Sequence, residues 1–296
     1  MRNVLVTGSS SGIGRAITEY LANNGFRVFA GVRKQEDADE LNKKNNINGL
    51  ILDVTNYKHL KTAYKLLKSA GKLSALINNA GVAIPGSLME MDAKSLHKQF
   101  EVNLFGPLKV IQVFFPLLRE NKGKIINIGS LNGFMISPIS GGAYTMSKFA
   151  MEALTEILKI ELQKFDIKVC VVDPGQYRTP IYNKLKVDVQ KLLEHSVYYK
   201  EEYKQILSEL EIPDDIGRDT NTISKLILDI LNTENIYTRY LSVNKNEQKS
   251  TYSAIITRLL EMNESNIYKW SLAEIHNLVN EINKMLFAQT GISREG

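Results

Sequence analysis

A tyrosine and a lysine four residues apart, Tyr144 and Lys148, could together move a proton to or from an oxygen atom. Side chains four residues apart lie on the same face of a helix, so the phenol and the ammonium group can meet in one small volume. A free tyrosine has a pKa of about 10, and a nearby cation lowers that pKa because it favours the phenolate. Ser130 follows an apolar run and could hydrogen-bond the reacting oxygen across the same crevice. The three side chains therefore suit acid–base chemistry at an oxygen atom.

The spacing of the pair is weak evidence by itself, because three other tyrosine–lysine pairs in the chain share it. These pairs are Tyr57 with Lys61, Tyr64 with Lys68, and Tyr182 with Lys186. The context distinguishes Tyr144: an apolar run at 125–128 predicts a buried strand, Ser130 and a glycine-rich loop follow, and the pair then opens a helical pattern. From this context alone, a catalytic role and a structural role are both open.

The composition is that of an ordinary globular protein, with 44% hydrophobic and 23% charged residues among 296. A chain of this length forms one large domain or two small ones. The net charge of +5 is mild, and no long basic run with interleaved aromatic residues occurs. We therefore expect no nucleic-acid partner.

The single cysteine, Cys170, lies in an apolar run and excludes an intramolecular disulfide. The first predicted strand begins almost at Met1, so we expect no signal peptide. No stretch approaches about 18 apolar residues without a charge, so we also expect no membrane span. The histidines are scattered, and we expect no metal site. A cytoplasmic enzyme or binding protein is the default interpretation.

A glycine turn separates the first predicted strand, at 3–6, from the helix that follows it. Glycines let the backbone approach a pyrophosphate, and a helix N-terminus favours its negative charge. The pattern is therefore typical of a dinucleotide-binding unit. Its spacing is Gly-x-x-x-Gly-x-Gly rather than that of the commonest fingerprint, and a tight structural turn is the alternative. The residues of the turn that we assign to the cofactor are Gly8, Ser10, Gly12, Ile13 and Gly14.

The second predicted strand, at 26–32, ends in two basic residues, Arg33 and Lys34. An acidic residue at this place selects NAD, whereas an arginine accommodates the 2′-phosphate of NADP. The first acid, Glu36, falls in the next helix. We therefore predict NADP as the preferred cofactor, with NAD possible. The alternative is that both basic residues are only solvated loop charges.

Further polar residues follow the other predicted strands. Asp53 and Val54 end the third strand, where the carboxylate could accept from an adenine amino group or cap the helix that starts near Asn56. Small and amide residues at 78–81 follow the fourth strand and leave room for a flat ligand. The loop at 174–179 follows the sixth strand at the same edge.

The alternation of strands and helices predicts an α/β fold, a doubly wound parallel sheet (Rossmann fold) with helices on both faces. The ligand crevice of such a sheet lies outside the carboxyl ends of its strands, where the motifs above converge. We assign residues 1–250 to this single domain. Within it, 181–212 forms a helical flap over the crevice or an ordinary packed helical pair. Residues 251–296 form a helical extension.

Two helical segments carry further predictions. The segment 88–115 is predicted to be helical with a break around Asn103, whose buried amide needs partners and could mark a site for a water. The extension carries an apolar stripe, which we expect to pack on the chain's own domain or on a second subunit. That stripe consists of Leu272, Ile275, Leu278, Val279, Ile282, Met285 and Leu286.

Together these motifs resemble the short-chain dehydrogenase/reductase family, in its single-domain branch, over residues 2–245. Asn103, Ser130, Tyr144 and Lys148 match the catalytic tetrad of that family. The resemblance assigns the cofactor to the glycine turn and to Arg33, Asp53, Val54, Asn79, Ala80, Gly81, Tyr144, Lys148, Pro174, Gly175 and Thr179. The sequences FAGVRK, YTMSKFAMEAL and TRYLSV are most similar to bacterial relatives of the steroid, retinol and 3-hydroxybutyrate dehydrogenases.

The resemblance implies a hydride exchange between a nicotinamide and an apolar secondary alcohol or ketone that is steroid-, retinoid-, acyl- or polyketide-like. Tyr144 would be the acid in reduction and the base in oxidation, and Lys148 would lower its pKa and hold the nicotinamide ribose. Ser130 would polarise the carbonyl, and Asn103 would position a water. We expect a homodimer or homotetramer.

One departure from the family pattern lies between Ser130 and Tyr144, where the loop is one residue longer, around 140–142. This insertion bears on the shape of the substrate. A non-catalytic nucleotide-binding regulator on the same fold is the alternative function, because a fold does not fix a function. A sugar epimerase is a weaker alternative, because it would need a larger C-terminal substrate domain.

Overall fold

The structure, a computed structural model, describes residues 1–136, 141–177, 179, 181–210 and 219–290. Seven strands form one sheet. They are β1 (Arg2–Thr7), β2 (Phe26–Val32), β3 (Ile47–Ile51), β4 (Leu73–Asn78), β5 (Lys124–Ile128), β6 (Lys168–Pro174) and β7 (Arg239–Ser242).

All neighbouring strands run parallel, in the order β3-β2-β1-β4-β5-β6-β7. The direction of strand addition reverses at β1, since β2 and β3 lie on one side of it and β4 to β7 on the other. A ligand crevice forms at such a switch point, outside the carboxyl ends of the strands. The predicted doubly wound parallel sheet is confirmed.

The sheet is buried on both faces, because successive side chains of its strands point to opposite sides. In β1, Val4 and Val6 enter one core and Leu5 enters the other. The two cores explain why β1 is a run of apolar residues rather than an alternating pattern.

Helices cover both faces. Helices α1 (Gly12–Asn23), α2 (Gln35–Asn42) and α9 (Asn221–Asn232) pack on the first core, and α3 (Tyr57–Ala70), α5 (Gly106–Glu120) and α6 (Gly142–Leu162) pack on the second. The other helices are α4 (Ala93–Phe100), α7 (Ile181–His195), α8 (Lys200–Glu209), α10 (Lys245–Glu264) and α11 (Leu272–Thr290).

Three predicted boundaries differ from the structure. Strand β3 ends at Ile51, two residues before Asp53, so the carboxylate lies on the loop that leaves the strand. The predicted helix at 88–115 begins only at α4, and a π-helical segment, Glu101–Phe105, joins α4 to α5 around the predicted break. Helix α10 begins at Lys245 because Asn244 and Glu247 form a capping box there.

The segment predicted as a flap forms two helices, α7 and α8, which pack on each other around a small core of their own. That core consists of Val189, Tyr203 and Ile206. The Ser87 N–H donates to the Tyr203 hydroxyl (2.8 Å), so the pair is also attached to the loop after β4. The two helices are a packed pair, and their role as a flap over the crevice stays a prediction. Residues 211 and 212 of the predicted segment lie outside the described residues.

Most described side chains of the apolar stripe of α11 are uncovered: Leu272, Leu278, Val279, Ile282 and Met285 are exposed. For these residues the structure shows no packing on the chain's own domain, and a second subunit as the partner stays a prediction. The apolar spacing defines a helix face, but it does not say what covers that face.

Within the described residues, one helical run, 93–120, is long and apolar enough to span a membrane by length and composition. Nearly half of its apolar window, 44%, is buried inside the protein. Val110 and Phe114 of this run are fully buried in the second core. The run therefore has the position of a core helix.

Candidate active site

The glycine turn between β1 and α1 interlocks with Asn79 at the end of β4. Gly8 has φ of 71°, a conformation that side chains rarely adopt. A Cβ on Gly14 would lie 2.2 Å from the Asn79 Nδ2, which donates to the backbone carbonyls of Thr7 and Gly8 (3.0 Å each). The turn thus leaves no room for a side chain at Gly14, and its open backbone fits the pyrophosphate of a dinucleotide.

Thr7, at the end of β1, also holds the residues that follow β4. Its Oγ1 accepts the backbone N–H groups of Asn79 (3.0 Å) and Ala80 (3.1 Å). The carboxyl ends of β1 and β4 are therefore held together by side-chain hydrogen bonds at the switch point of the sheet.

A cavity of about 1120 Å³ opens at this edge. Most residues predicted to bind the cofactor line it, namely Gly8, Ser10, Gly12, Ile13, Gly14, Arg33, Asp53, Val54, Asn79, Ala80, Gly81, Tyr144, Lys148, Pro174 and Thr179. Gly175, Ser130 and Asn103 are not among the residues that line it. The structure therefore brings the predicted cofactor residues to one cavity.

Asp53 lies on the wall of the cavity and does not cap α3. The Asn56 side chain accepts the N–H groups of Lys58 and His59 and is the cap of that helix. The Asp53 Oδ1 accepts from the Thr55 N–H (2.9 Å) and hydroxyl (2.7 Å). Partial burial raises the pKa of Asp53, but the hydrogen bonds from Thr55 outweigh it, and the net pKa is lowered. The group is a carboxylate that can accept a further hydrogen bond.

Arg33 is exposed on the cavity wall, directly after β2. Arg15, at the other end of the turn, is engaged by two carboxylates, those of Glu19 and Glu40. Arg33 makes no such hydrogen-bonded pair with the residues that the structure describes, although it interacts electrostatically with Asp53. Arg33 is therefore the arginine available to a phosphate at this end of the cavity.

Tyr144 and Lys148 stand on the first two turns of α6, at the other end of the cavity. The Lys148 Nζ donates to the Ile128 carbonyl at the end of β5 (2.9 Å) and lies 5.5 Å from the centre of the Tyr144 ring. Tyr57 and Lys61 are stacked similarly (4.8 Å) on the surface of α3 and line no part of this cavity. The Tyr144–Lys148 pair is a candidate catalytic pair because it lies at the carboxyl edge of the sheet, and not because of its spacing.

Ser130 lies just after β5 and is nearly buried, with 8% of its surface exposed. Its Oγ accepts the N–H of Asn132 (3.2 Å), and its own N–H donates to the Asp173 Oδ1 (2.9 Å). The Ser130 hydroxyl proton remains available to donate to a substrate oxygen.

The Asn103 amide lies in the π-helical segment and is engaged by the protein. Its Oδ1 accepts the Val82 N–H (2.8 Å), and its Nδ2 donates to the Val82 carbonyl (2.9 Å) and to the Ser147 hydroxyl (3.1 Å). Both amide hydrogens are thus used. Asn103 joins the loop after β4 to the helix that carries the tyrosine and the lysine.

Sequence reasoning missed Glu247, which holds the loop after β6. The Gln176 N–H donates to the Glu247 Oε1 (2.8 Å), and a Cβ on Gly175 would lie 2.5 Å from the same atom. The Asn244-x-x-Glu247 capping box was visible in the sequence, but its contact with a loop 71 residues earlier was not. Also missed was the cavity wall formed by Leu96, His97, Lys98, Phe100, Glu101, Val102 and Phe105.

Comparison with known proteins agrees with this geometry. The family model described as short chain dehydrogenase matches residues 2–190. The 3-amino-tetrahydro-pyrrolizinone reductase of Xenorhabdus hominickii is 35% identical over 86% of this chain and 92% of its own length. The NADPH-dependent 3-dehydrocapnine reductase of Ornithobacterium rhinotracheale is 39% identical over 63% of this chain and 69% of its own.

The fold is shared with a solved short-chain dehydrogenase from Streptomyces avermitilis, which is 26% identical, has a TM-score of 0.75, and covers 89% of this chain and 95% of its own. With the matched residues spanning the glycine turn, Ser130, Tyr144 and Lys148, the chain belongs to the short-chain dehydrogenase/reductase family of NAD(P)-dependent oxidoreductases.

Proposed function

We propose that this protein transfers a hydride between the nicotinamide of NADP(H) and the carbon of an apolar secondary alcohol or ketone. The observation that carries the proposal is one continuous cavity with the glycine turn and Arg33 at one end and Tyr144 with Lys148 at the other. A dinucleotide extends from its phosphates to its reactive ring, and the cavity offers a suitable group at each end.

When bound, the nicotinamide supplies or accepts the hydride. Tyr144 gives a proton to the oxygen during reduction and takes it back during oxidation. The Lys148 ammonium is held beside the Tyr144 ring by its hydrogen bond to the Ile128 carbonyl, so a positive charge stands next to the group that moves the proton. Ser130 donates its hydroxyl proton to the same oxygen. Asn103 acts as a positioning residue through its bonds to Val82 and Ser147.

The preference for NADP rests on Arg33, an exposed guanidinium beside the place of the adenosine ribose. A guanidinium binds a phosphate with paired hydrogen bonds, whereas NAD offers only a hydroxyl there. The relative from Ornithobacterium rhinotracheale, named as NADPH-dependent, is in line with this preference.

An apolar substrate is favoured by the side chains near Tyr144. A Cβ on Gly142, at the start of α6, would lie 2.9 Å from the Leu88 Cγ, and Leu88 is 42% exposed. Met146, on the next turn, is 44% exposed. Exposed apolar surface beside a reactive group indicates an apolar ligand, because burying that surface stabilises the complex.

We also keep a homodimer or homotetramer and a cytoplasmic location as proposals. Exposed apolar residues on α6, Ile157 and Ile160, and the stripe on α11 provide surface that a second subunit would cover. Light scattering of the purified chain measures the assembly directly, and a monomer at micromolar concentration would contradict the proposal.

The central test is the absorbance of the reduced nicotinamide at steady state. Ketosteroids, retinal, 3-oxoacyl esters and simple ketones are supplied with NADPH or NADH to the wild type and to Tyr144→Phe. We expect turnover of at least one ketone with NADPH, and a loss of roughly 100- to 10,000-fold in kcat in the variant. Calorimetry should give the same Kd for NADPH in both proteins.

Two results would contradict the proposal. A Tyr144→Phe variant that retains full turnover would remove the tyrosine from the chemistry. Tight NADPH binding without turnover on any compound in the panel would favour the non-catalytic regulator.

A further inference from the structure

Two buried carboxyl groups lie directly behind Ser130. Asp173 is near the end of β6 and is fully buried, and Glu152 is on α6 and is 6% exposed. The Asp173 Oδ1 accepts the Ser130 N–H (2.9 Å), and the Glu152 Oε2 pairs with the Arg239 Nε (2.7 Å). The Asp173 and Glu152 carboxyls are neighbours that interact electrostatically.

One oxygen of each carboxyl has no donor. The Asp173 Oδ2 and the Glu152 Oε1 are buried and have no hydrogen-bond partner among the polar groups that the structure describes. Leaving a charged oxygen buried and unbonded costs more free energy than a normal hydrogen bond returns. Two such oxygens on neighbouring carboxyls point to a shared proton, since a proton on either group makes it a donor to the other.

The backbone around Ser130 is shaped to fit this pair. A Cβ on Gly129 would lie 2.0 Å from the Asp173 Oδ1, and a Cβ on Gly133 would lie 3.0 Å from the Glu152 Cγ. The glycines on either side of Ser130 therefore each leave room for one carboxyl. The segment 129–133, which carries Ser130, therefore packs against both Asp173 and Glu152.

We propose that Asp173 and Glu152 share one proton at neutral pH and that this acid pair is a positioning device for Ser130. The inference rests on the proposed function, because it assigns Ser130 to the reacting oxygen. With one proton held between the carboxyls, the pair carries a single negative charge. Arg239, which also contacts Glu156, balances that charge.

The electrostatics agree with the geometry. Burial raises the pKa of Asp173 well above its usual range, and the neighbouring Glu152 raises it further. Lys148, on the same helix as Glu152, acts in the opposite direction. The buried thiol of Cys170, on the same strand as Asp173, stays neutral because burial raises its pKa to about 12.

The direct test is infrared spectroscopy of the whole protein at pH 7.5, with carboxyl carbons of Asp and Glu isotopically labelled. We expect a C=O stretching band of a protonated carboxyl in the wild type. Asp173→Asn should abolish it, because the carboxyl that burial holds protonated is then gone. Glu152→Gln should shift the frequency of the band, because the proton is then held beside an amide instead of a carboxylate. Glu156→Gln, which changes the other carboxylate on Arg239, should keep the band. Absence of the band in the wild type, or its persistence in Asp173→Asn, would overturn the proposal.

Stability against pH gives a second readout that needs no substrate. A carboxyl with a raised pKa in the folded state keeps its proton while the unfolded chain releases it near pH 4, so stability declines as pH rises from about 4 towards the folded-state pKa. Urea unfolding between pH 5 and pH 9, chosen to span roughly this range, should show that decline in the wild type, less steeply in Asp173→Asn. Equal slopes in the two proteins would contradict the shared proton.

The positioning role predicts a split between kcat and KM. In Asp173→Asn the amide oxygen still accepts the Ser130 N–H, so kcat should stay within about threefold of the wild type. In Asp173→Ala that acceptor is lost, and kcat should fall by about tenfold or more while the KM for NADPH is unchanged. A kcat that falls equally in both variants would contradict the positioning role.

The two proposals fail separately. The band with no turnover on any ketone keeps the acid pair and removes the proposed reaction. Turnover of a ketone without the band keeps the proposed reaction and removes the acid pair. If Asp173→Ala does not fold, the infrared and unfolding measurements on Asp173→Asn and Glu152→Gln still decide the matter.

Discussion

The Glu247 carboxylate accepts the backbone N–H of Gln176 at 2.8 Å, so the first turn of α10 holds the loop that follows β6. The second oxygen of the same carboxylate accepts the Asn244 N–H (2.8 Å) and completes the capping box of the helix. A residue beyond the segment matched by the family model therefore shapes the edge of the cavity that carries Thr179.

Replacing this carboxylate should weaken both the loop and the helix. We expect Glu247→Ala to lower the free energy of unfolding by about 1–2 kcal/mol, because it removes a cap and a loop hydrogen bond. The KM for NADPH should rise several-fold, because the loop beside the cavity is no longer fixed. Glu261→Ala, at an exposed position on the same helix, is the control. Urea unfolding and steady-state kinetics make the comparison, and equal effects of the two variants would contradict the role of Glu247.

Arg33→Ala should raise the KM for NADPH by about 10- to 100-fold, because a charge-assisted pair with the 2′-phosphate is lost. The KM for NADH should change little, since NADH has no phosphate at that position. Lys34→Ala is the matched control, because Lys34 is the next residue but does not line the cavity. Equal changes for both cofactors would show that Arg33 does not select NADP.

Gly14→Ala should impair cofactor binding through Asn79. The added Cβ would lie 2.2 Å from the Asn79 Nδ2, which must then leave the two carbonyls that it bonds. We expect a loss of about 2 kcal/mol in the free energy of unfolding and a rise of about tenfold or more in the Kd for NADPH.

Gly25→Ala is the control for this substitution, because Gly25 has φ of 82° and open space around it. It should cost about 1 kcal/mol of stability through backbone strain and leave the Kd unchanged. Calorimetric titration with NADPH measures the difference, and a Gly14→Ala variant with wild-type affinity would contradict the fit of the turn.

The hydrogen bonds of Glu90 should make the stability of the turn between α7 and α8 depend on pH. Hydrogen bonds from the backbone of Tyr198, the hydroxyl of Ser196 and the backbone of Val197 lower the pKa of Glu90. A carboxylate with a lowered folded-state pKa contributes its full stability above the unfolded value of about 4.3, and that contribution is lost as pH falls through the folded-state pKa. Protection of the Val197 and Tyr198 amides from hydrogen exchange should therefore fall in acid.

In Glu90→Ala these two amides should be poorly protected at every pH, whereas Glu194→Gln, an exposed position on α7, should behave as the wild type. Hydrogen exchange followed by mass spectrometry gives the protection factors. Strong protection at neutral pH in Glu90→Ala would refute the assignment.

The core of the fold could be predicted because local signals agreed with one another. Strand β2 was predicted with the bounds that it has, because its apolar run ends at the basic residues Arg33 and Lys34. Strand β3 was predicted too far along, because Leu52 and Val54 are apolar and buried but lie outside the ladder. A buried apolar residue that pairs with no strand has the same residue type as one inside a strand, so composition cannot separate the two.

The site was predictable where its residues follow strands, as Gly8 after β1 and Asp53 after β3 show through their shared cavity. It was not predictable where the contacts join distant segments. The bond between Glu247 and Gln176 spans 71 residues, and the contact of Asp173 with Glu152 depends on how α6 lies across the sheet. Such contacts follow from tertiary packing rather than from spacing along the chain.

The attachment of the α7–α8 pair has a practical consequence for exchanging substrate preference between relatives. The pair has its own small core. Its hydrogen bonds to the rest of the chain include that from the Ser87 N–H to the Tyr203 hydroxyl and that from the Ser196 hydroxyl to the Glu90 carboxylate. A chimera that transplants the two helices must therefore carry the loop with Ser87 and Glu90 as part of the same graft. Transplanted alone, the pair would lose the Ser87 N–H as the donor to the Tyr203 hydroxyl and the Glu90 carboxylate as the acceptor for Ser196.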